Sequence, residues 1–569
     1  MNDEDCARRV FKNIQTIPAL LDYAVDCHGD LPAIKNKDKD LVESISRRDL
    51  QKAAFGTASL FAQKGIHGKH IAIIGNPGRD WLILFLAVVS SGNIAVLIDK
   101  NLSETDIAQL MRQADVSHLI LDSSLSQKAA YLKSVLDHNH EGMCFGEENN
   151  GEIDGFLHIR RYLDEALNET AYAPNITIHP DQDAVIVFTS GATGNSKAVL
   201  LSHKNICDKV CCILQITYDF TPGEHIISIL PPHHILEVTA GLLAPLCYGG
   251  TICFGGGLKY LSRNIKFFQP VFMLIVPMVV EGFYKQILNE IRKKGKEKQM
   301  TRAIRLSNFL RLLKIDLRRR LFKDIHDSFG GKIHAIFCGG AFLDPELVKR
   351  FDEWGLPLCD GYGITECTAA VSCNLSERHK TGSVGTPFLS PFCEVKIVDG
   401  EIFVRGSIVM KGYYKDEEAT QQVFSDGWFK TGDLGYIDAD GFLFITGRKK
   451  NVIILSDGNN VSPEELETLL EKLPLVKSVF VCVKEHHNLP MITACVHPDF
   501  EYAREHGIGD IQAELERETT QINISLPFYK RVQKIEISED DFEKTPLGKV
   551  KRHKYNTALP TSGTHIKER

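Results

Sequence analysis

The chain lacks several things, and each absence narrows what it can be. Its 66 Lys and Arg stand against 73 Asp and Glu, a formal net charge of −7 over 569 residues, so no global positive field draws it to nucleic acid. Its 15 cysteines show no paired C-x-x-C spacing, and Cys207, Cys211 and Cys212 cluster without a partner set at zinc spacing. Buried thiols in a reducing compartment are expected rather than disulfides or a metal site. The longest apolar stretch, Trp81–Ile98, is interrupted by Ser90-Ser91-Gly92-Asn93. It reads as a core helix turning into a core strand, not as a membrane span. The acidic start, Met-Asn-Asp-Glu-Asp, has no apolar run of the secretory type. Internal repeats and low-complexity tracts are absent. A cytoplasmic location follows as the expectation, with enough chain for two or three domains.

What is present begins with Ala184-Val185-Ile186-Val187-Phe188, a strand-like run, followed by Thr189-Ser190-Gly191-Ala192-Thr193-Gly194-Asn195-Ser196-Lys197. Small residues let backbone N–H groups approach a polyphosphate, hydroxyls add donors, and Lys197 adds a point charge. The spacing Gly191-x-x-Gly194-x-x-Lys197 fails the G-x-x-x-x-G-K-[ST] pattern of P-loop nucleotidases. Taken alone, such a loop reads as a surface turn.

Residues up to about 445 alternate strand-like and helix-like segments, as layered α/β architecture does. His70–Gly75, Ile94–Ile98 and Lys332–Phe337 read as strands, and Asp80–Ser90 and Asp344–Trp354 as helices. Short β-rich pieces over 390–445, among them Cys393–Val398 and Glu401–Arg405, predict a small β-barrel-like subdomain. A compact C-terminal α+β unit follows, its first helix signalled by Ser462-Pro463-Glu464-Glu465, a capping box with proline at the first helical position. The expected division is an N-terminal domain over 1–446, a hinge over 447–451, a mobile C-terminal domain over 452–557 and a polar tail over 558–569.

Four further motifs follow the Thr189–Lys197 loop in order: Gly361-Tyr362-Gly363-Ile364-Thr365-Glu366, Thr431-Gly432-Asp433, Gly447-Arg448-Lys449-Lys450, and Pro546-Leu547-Gly548-Lys549-Val550-Lys551-Arg552. The ordered set resembles the adenylate-forming (AMP-binding) superfamily, which includes acyl-CoA synthetases, aryl-CoA ligases, luciferases and nonribosomal adenylation domains. Asp80-Trp81 and Asp99-Lys100-Asn101-Leu102 extend the likeness upstream.

The resemblance implies a large N-terminal and a small mobile C-terminal domain, and a two-step reaction. A carboxylate attacks the α-phosphate of ATP, and a thiol then displaces AMP. It implies that Thr189, Ser190, Gly191, Ala192, Thr193, Gly194 and Lys197 hold the β- and γ-phosphates, although Ala192, Ser196 and Ala198 depart from the usual loop. It assigns Gly339, Gly340 and Ala341 to the adenine and acyl sites, and Asp360, Gly361, Tyr362 and Gly363 to the nucleotide. Thr365 goes to the α-phosphate, Glu366 to Mg²⁺ and Asp433 and Arg448 to the ribose. Lys549 stabilises charge during adenylation, Lys450 is the hinge, and Gly458 lines the approach of the coenzyme A thiol.

His234, in Leu230-Pro231-Pro232-His233-His234-Ile235-Leu236-Glu237, aligns with the histidine that acyl- and aryl-acid enzymes place beside the substrate carboxylate. No Asp-based motif of amino-acid-activating relatives stands there, which favours an acid without an α-amine. Between Lys285 and Lys323 there are 14 Lys or Arg against three acids, with Phe309, Leu310, Leu313, Leu317 and Leu321 at helix-like spacing. This insert is similar to that of long-chain fatty acyl-CoA synthetases. It reads either as a solvated helix with its apolar face on the core or as a peripheral contact with the inner membrane surface. The expected activity is fatty acyl-CoA synthesis. An acyl-acyl carrier protein synthetase, an aryl-acid ligase and a non-catalytic acyl or nucleotide sensor are its rivals.

Overall fold

The computed structural model describes residues 14–38, 41–136, 142–146, 156–159, 163, 176–189, 196–216, 220–454, 460–486, 489–544, 550 and 552–555. Two large sheets organise the N-terminal part. One has eight strands in the order Gly412–Tyr413, Ala198–Ser202, Asp183–Phe188, Ile94–Leu97, His70–Ile74, His118–Asp122, Gly142–Phe145, Phe156–His158. The other has nine, running from Thr386–Pro387 through Ala369–Cys373, Leu358–Ile364, Ala335–Cys338, Phe272–Ile275, His225–Ile227, Thr251–Phe254 and Pro32–Asp38 to Leu41–Ser46. The central strands pair in parallel; both ends of the nine-stranded sheet and the Gly412–Tyr413 end of the eight-stranded one are antiparallel, while its Phe156–His158 edge stays parallel.

Side-chain alternation explains the layering. Ile71 and Ile73 of one strand face a core shared by both sheets, while Ala72 and Ile74 face a second core beneath helices Glu104–Gln113 and Ser126–Lys133. The shared core is filled by helices Ile17–His28, Arg47–Gln63, Arg79–Ser90 and His203–Leu214. Arg79–Ser90 is apolar all round and buried on every side from Trp81 to Ser90, as expected of a central helix. Arg47 is buried there too; its guanidinium donates to the carbonyls of Leu31, Pro32, Leu246 and Gly250. Burial lowers its pKa to about 10, which leaves it charged at neutral pH.

Two expectations shift locally. The strand expected from Lys332 begins at Ala335, because Gly330 and Gly331 turn the chain with φ of +79° and +77° and only Ala335 enters register with Phe272. Ser462 does cap helix Pro463–Leu470 by position, but its hydroxyl makes no capping bond to the backbone. It donates instead to Glu464 at 2.9 Å, and it sits where a side chain on Gly447 would lie, 2.7 Å from that Cβ position.

The β-rich region is an antiparallel sheet of Glu394–Val398, Glu401–Arg405, Trp428–Ile437, Phe424–Ser425 and Leu443–Arg448. Beyond it, strands Val476–His486, Leu489–Pro498 and Lys534–Ile537 form a separate sheet with its own core, including Leu466, Val481, Val496 and Leu515. Among the described residues no helix is long and apolar enough to cross a membrane. The fourteen described cysteines are free thiols, thirteen of them buried.

Candidate functional site

Strands Asp183–Phe188 and Ala198–Ser202 form a hairpin that brings Thr189 and Lys197 together at its open end. The Thr189 N–H donates to the Lys197 carbonyl at 3.0 Å, and the Lys197 N–H reaches the Thr189 hydroxyl at 3.4 Å. Ser190, Gly191, Ala192, Thr193 and Gly194, between them, lie outside the described residues, as do Gly458 and Lys549. The Lys197 ammonium stands 4.4 Å from the ring centroid of Tyr413, a cation–π contact.

Tyr413 leads to the next group. Its strand, Gly412–Tyr413, pairs with Val199 and Leu200 of the hairpin, and its hydroxyl donates to Glu366 at 2.9 Å. Burial and the neighbouring Glu366 push the Tyr413 phenol up, so it remains a donor at any physiological pH. Glu366 belongs to a short helical turn, Thr365–Cys367, at the end of strand Leu358–Ile364, and Thr365 lies half-buried beside it. Gly363 has to be glycine: a Cβ there would sit 2.0 Å from the Ala369 carbonyl of the neighbouring strand. That strand pairing fixes the path of Gly361-Tyr362-Gly363. Asp360 precedes it; burial raises its carboxyl well above the carboxylate range, and its carbonyl accepts from Asn374.

Tyr362 meets the β-rich sheet. Its hydroxyl donates to Asp433 Oδ2 at 2.7 Å, and Arg448 Nε donates to Asp433 Oδ1 at 2.7 Å. Asp433 and Arg448 face each other in register on strands Trp428–Ile437 and Leu443–Arg448, which is why residues fifteen apart in sequence meet. Asp433 is buried, and with a half-buried tyrosine and an arginine on its two oxygens it is held as a charge-assisted network. Lys450 follows Arg448 by two residues. Partial burial and the nearby Arg448 lower its pKa, while Asp433 and Glu366 act against that, so its ammonium lies within the field of the same cluster.

Gly339, Gly340 and Ala341 follow strand Ala335–Cys338 directly. Gly340 takes φ +86°, and the Gly339 Cα passes so close to Gly361 that a Cβ would lie 3.3 Å from its carbonyl. Glu366, Tyr413, Lys430, Thr431, Gly432 and Lys449 line an open cavity of about 260 Å³. Tyr413 and Glu401, which accepts from the Gly432 N–H and from Lys449, belong to this site although no sequence motif marks either.

His234 forms a second polar group. It is half-buried by surface area, yet its Nε2 has no partner among the described residues; burial and the adjacent His233 lower its pKa to about 3, so it is neutral. The rings of His233 and His234 are 4.3 Å apart, and His233 Nε2 is 3.8 Å from Asp99 Oδ2. One turn on, Glu237 opens a π-helix, Glu237–Leu243, a form common at functional positions. Its carboxyl accepts from Ser228 and is pushed up to about 8 by burial, which the Ser228 hydroxyl and the Leu230 amide only partly offset. Its Oε2 has no hydrogen-bond partner among the described residues. Sequence reading placed Glu237 in the histidine segment without giving it a role.

A carboxylate that anchors a tyrosine and an arginine, a second carboxylate beside a phosphate-type hairpin, and lysines around both suit a polyhydroxylated, phosphorylated ligand. Glu366 retains an oxygen beyond its bond to Tyr413, so the site fits a hard, oxygen-seeking cation shared with phosphates.

Comparison with known proteins agrees with this geometry. The sequence profile of AMP-binding enzymes matches residues 21–414. A long-chain-fatty-acid–CoA ligase of Mycobacterium bovis is 28% identical over 561 residues, covering 90% of each chain. Long-chain-fatty-acid–CoA ligase 5 of Rattus norvegicus is 29% identical over 471 residues, covering 77% of this chain and 68% of that one. Among solved structures, the adenylation domain of a carboxylate reductase from Mycobacterium chelonae matches with a TM-score of 0.79 at 20% identity, covering 97% of this chain and 91% of that chain. o-Succinylbenzoate CoA synthetase of Bacillus subtilis, in complex with its acyl-adenylate intermediate, matches with a TM-score of 0.73 at 22% identity, covering 95% and 98%. These two structural likenesses are likenesses of fold.

Proposed function

The chain belongs to the AMP-binding enzymes, and on that premise we propose that it is a fatty acid–CoA ligase, which activates a medium- or long-chain acid as its adenylate and transfers the acyl group to coenzyme A. The observation that carries the reading is the single carboxylate of Asp433, held between Tyr362 and Arg448 and neighboured by Glu366 and Lys450. A ribose with two hydroxyls fits such an acceptor, and an adenine fits the flat ring of Tyr362 between its glycines. The first step joins two anions, the carboxylate and the α-phosphate, so catalysis depends on neutralising charge and holding an in-line geometry.

In this reading Thr189–Lys197 grips the β- and γ-phosphates, Thr365 bonds the α-phosphate, and Lys549 enters from the C-terminal unit to meet the developing charge. Glu366 would hold Mg²⁺, which supplies charge neutralisation on the phosphates when bound. Neutral His234 offers a donor or acceptor beside the acid without adding charge. Lys450 serves as the hinge on which the 452–557 unit turns, and Gly458 lines the thiol's path.

A pyrophosphate-release assay over acids of increasing length and over aryl acids, with coenzyme A, carrier protein or neither, tests the proposal. Release that rises with alkyl length, and thioester formed on coenzyme A, is the expected result. Preference for aryl acids, or release with no acid in the panel, would overturn it. Lys549→Ala should cut adenylate formation by at least ~10²–10³ while supplied acyl-adenylate is still converted to thioester.

A further inference from the structure

Helix His203–Leu214 starts where the phosphate-type hairpin ends, capped by the Ser202 hydroxyl, and it carries a lysine into the shared core. Lys209 is 0% exposed and has no carboxylate partner among the described residues; the thiols of Cys212, Cys393 and Cys367 face it, and burial lowers its pKa. An ammonium buried without a counter-charge is costly, and a methionine would fill the same space without that cost. What the lysine does there is visible at its tip. Its Nζ donates to the Ala370 carbonyl and stands 5.0 Å from the centroid of the Phe388 ring.

Ala370 pairs with Gly363, and Ala369 with Ile364, so the carbonyl that Lys209 holds belongs to the strand that fixes Gly361-Tyr362-Gly363. Just before it, Thr368 and Ala369 take φ of +51° and +76°, two consecutive non-glycine residues in the left-handed region. Such backbone persists only where its surroundings over-determine it. Here it joins the Thr365–Cys367 turn to strand Ala369–Cys373. The Thr368 hydroxyl donates to the Ile408 carbonyl at 2.7 Å, and the Met410 N–H donates to the Glu366 carbonyl at 2.7 Å. Asn205, four residues before Lys209 and on the same helix face, donates to the Ser407 and Val409 carbonyls at 2.7 and 2.9 Å. One helix thus reaches the strained step from both sides, directly through Lys209 and through the backbone of 407–410.

We infer that Lys209 is a positioning residue for adenylate formation. Sealed from any ligand itself, it holds the Ala370 carbonyl, keeps the Thr368–Ala369 step in its strained form, and so sets where Thr365 and Glu366 stand. The inference rests on the ligase reading for the roles of Thr365 and Glu366, and not on which acid is used.

Lys209→Met keeps the volume and removes the donor; Lys209→Gln keeps a shorter, neutral donor. On the full chain, calorimetry follows ATP binding across Mg²⁺ concentrations with no acid present. ATP–pyrophosphate exchange reads adenylate formation, and supplied acyl-adenylate reads the thioester step. For Lys209→Met, kcat of exchange should fall ~10–100-fold, as a misplacement of about 1 Å produces. KM for ATP should stay, because the Asp433–Arg448 pair lies on another sheet. The Mg²⁺ concentration that half-saturates ATP binding should rise about 10-fold, while the thioester step keeps the parent rate. Lys209→Gln should lie between the two, and it carries the same comparison if the methionine variant melts too low to assay. A residue that only fills the core would lower the melting temperature and both half-reactions by one common factor, with the Mg²⁺ dependence unmoved. That pattern, or exchange at the parent rate in the variant assayed, would overturn the inference. A parent that binds ATP with Mg²⁺ but exchanges pyrophosphate with no acid would refute the ligase reading alone, and the calorimetric comparison would still decide the role of Lys209.

Discussion

Asp433 gives both carboxylate oxygens to protein partners, Tyr362 and Arg448. Glu237 gives one to Ser228 and leaves the other unpartnered among the described residues, as His234 leaves its Nε2. The first region is wired before any ligand arrives; the second holds buried polar atoms that the fold does not satisfy. A buried polar atom left unpaired costs about 1–3 kcal/mol, so a ligand or solvent that supplies the partner recovers it. Preorganisation suits the nucleotide, which is the same in every turnover. An unfinished polar lining suits the component that varies, so the proposed ligase reading predicts that selectivity among acids lies on the His234–Glu237 side.

Breaking the wired side should give the largest and least selective effect. Asp433→Ala frees the Tyr362 hydroxyl and unpairs Arg448 together, and adenylate formation is expected to fall ~10²–10³ by a similar factor for every acid tested. A loss that varies strongly from acid to acid would contradict the division. His234→Ala should be smaller and uneven: KM for the acid rises, roughly 10-fold for the preferred chain, while KM for ATP stays. An equal change in both would place His234 with the nucleotide instead.

Lys450→Pro probes the junction. The Lys450 N–H makes no backbone hydrogen bond among the described residues, so proline removes none of these while fixing φ near −65°. Single-turnover measurements should find adenylation kept and thioester formation slowed; equal losses in both steps would move the hinge elsewhere.

The smallest effect is on stability. The Glu237 carboxyl keeps its proton in the folded chain up to about pH 8, against an ordinary value of 4.5. Above 4.5 the unfolded chain sheds a proton that the folded chain retains, so this group's contribution to stability declines as pH rises through that window. Gln cannot ionise. Melting curves for Glu237→Gln should therefore gain on the parent from pH 5 to pH 8; parallel curves would mean that Glu237 ionises normally in the folded state.

The layered α/β order was legible because its strands are buried on both faces and read as apolar runs, as Ala184–Val187 and Ile71–Ile74 do. The ordered glycine motifs carried the nucleotide side for a related reason: Gly363 answers to a carbonyl 2.0 Å from where its Cβ would be, and no other residue fits. Tyr413 escaped notice because what matters about it is its strand pairing with Val199 across two hundred residues, which leaves no local pattern. Ser462 misled for the opposite reason, since a capping signature predicts a backbone bond and the hydroxyl turned to Glu464. Helix Glu297–Leu312 packs Met300, Ala303 and Ile304 on the core and leaves Phe309 exposed, as Leu313 is just beyond it. It defeated the stripe of Phe309, Leu310, Leu313, Leu317 and Leu321, because an apolar period gives a face but not which face meets the core.

Arg448 ends its strand while bonded to Asp433, and the Lys449 and Val452 N–H groups close the next turn onto Gly432 and Arg448. The Asp433 carboxylate and this turn together fix the direction in which the chain leaves the β-rich sheet. One side chain and a single turn of backbone thus aim the chain as it leaves the strand end.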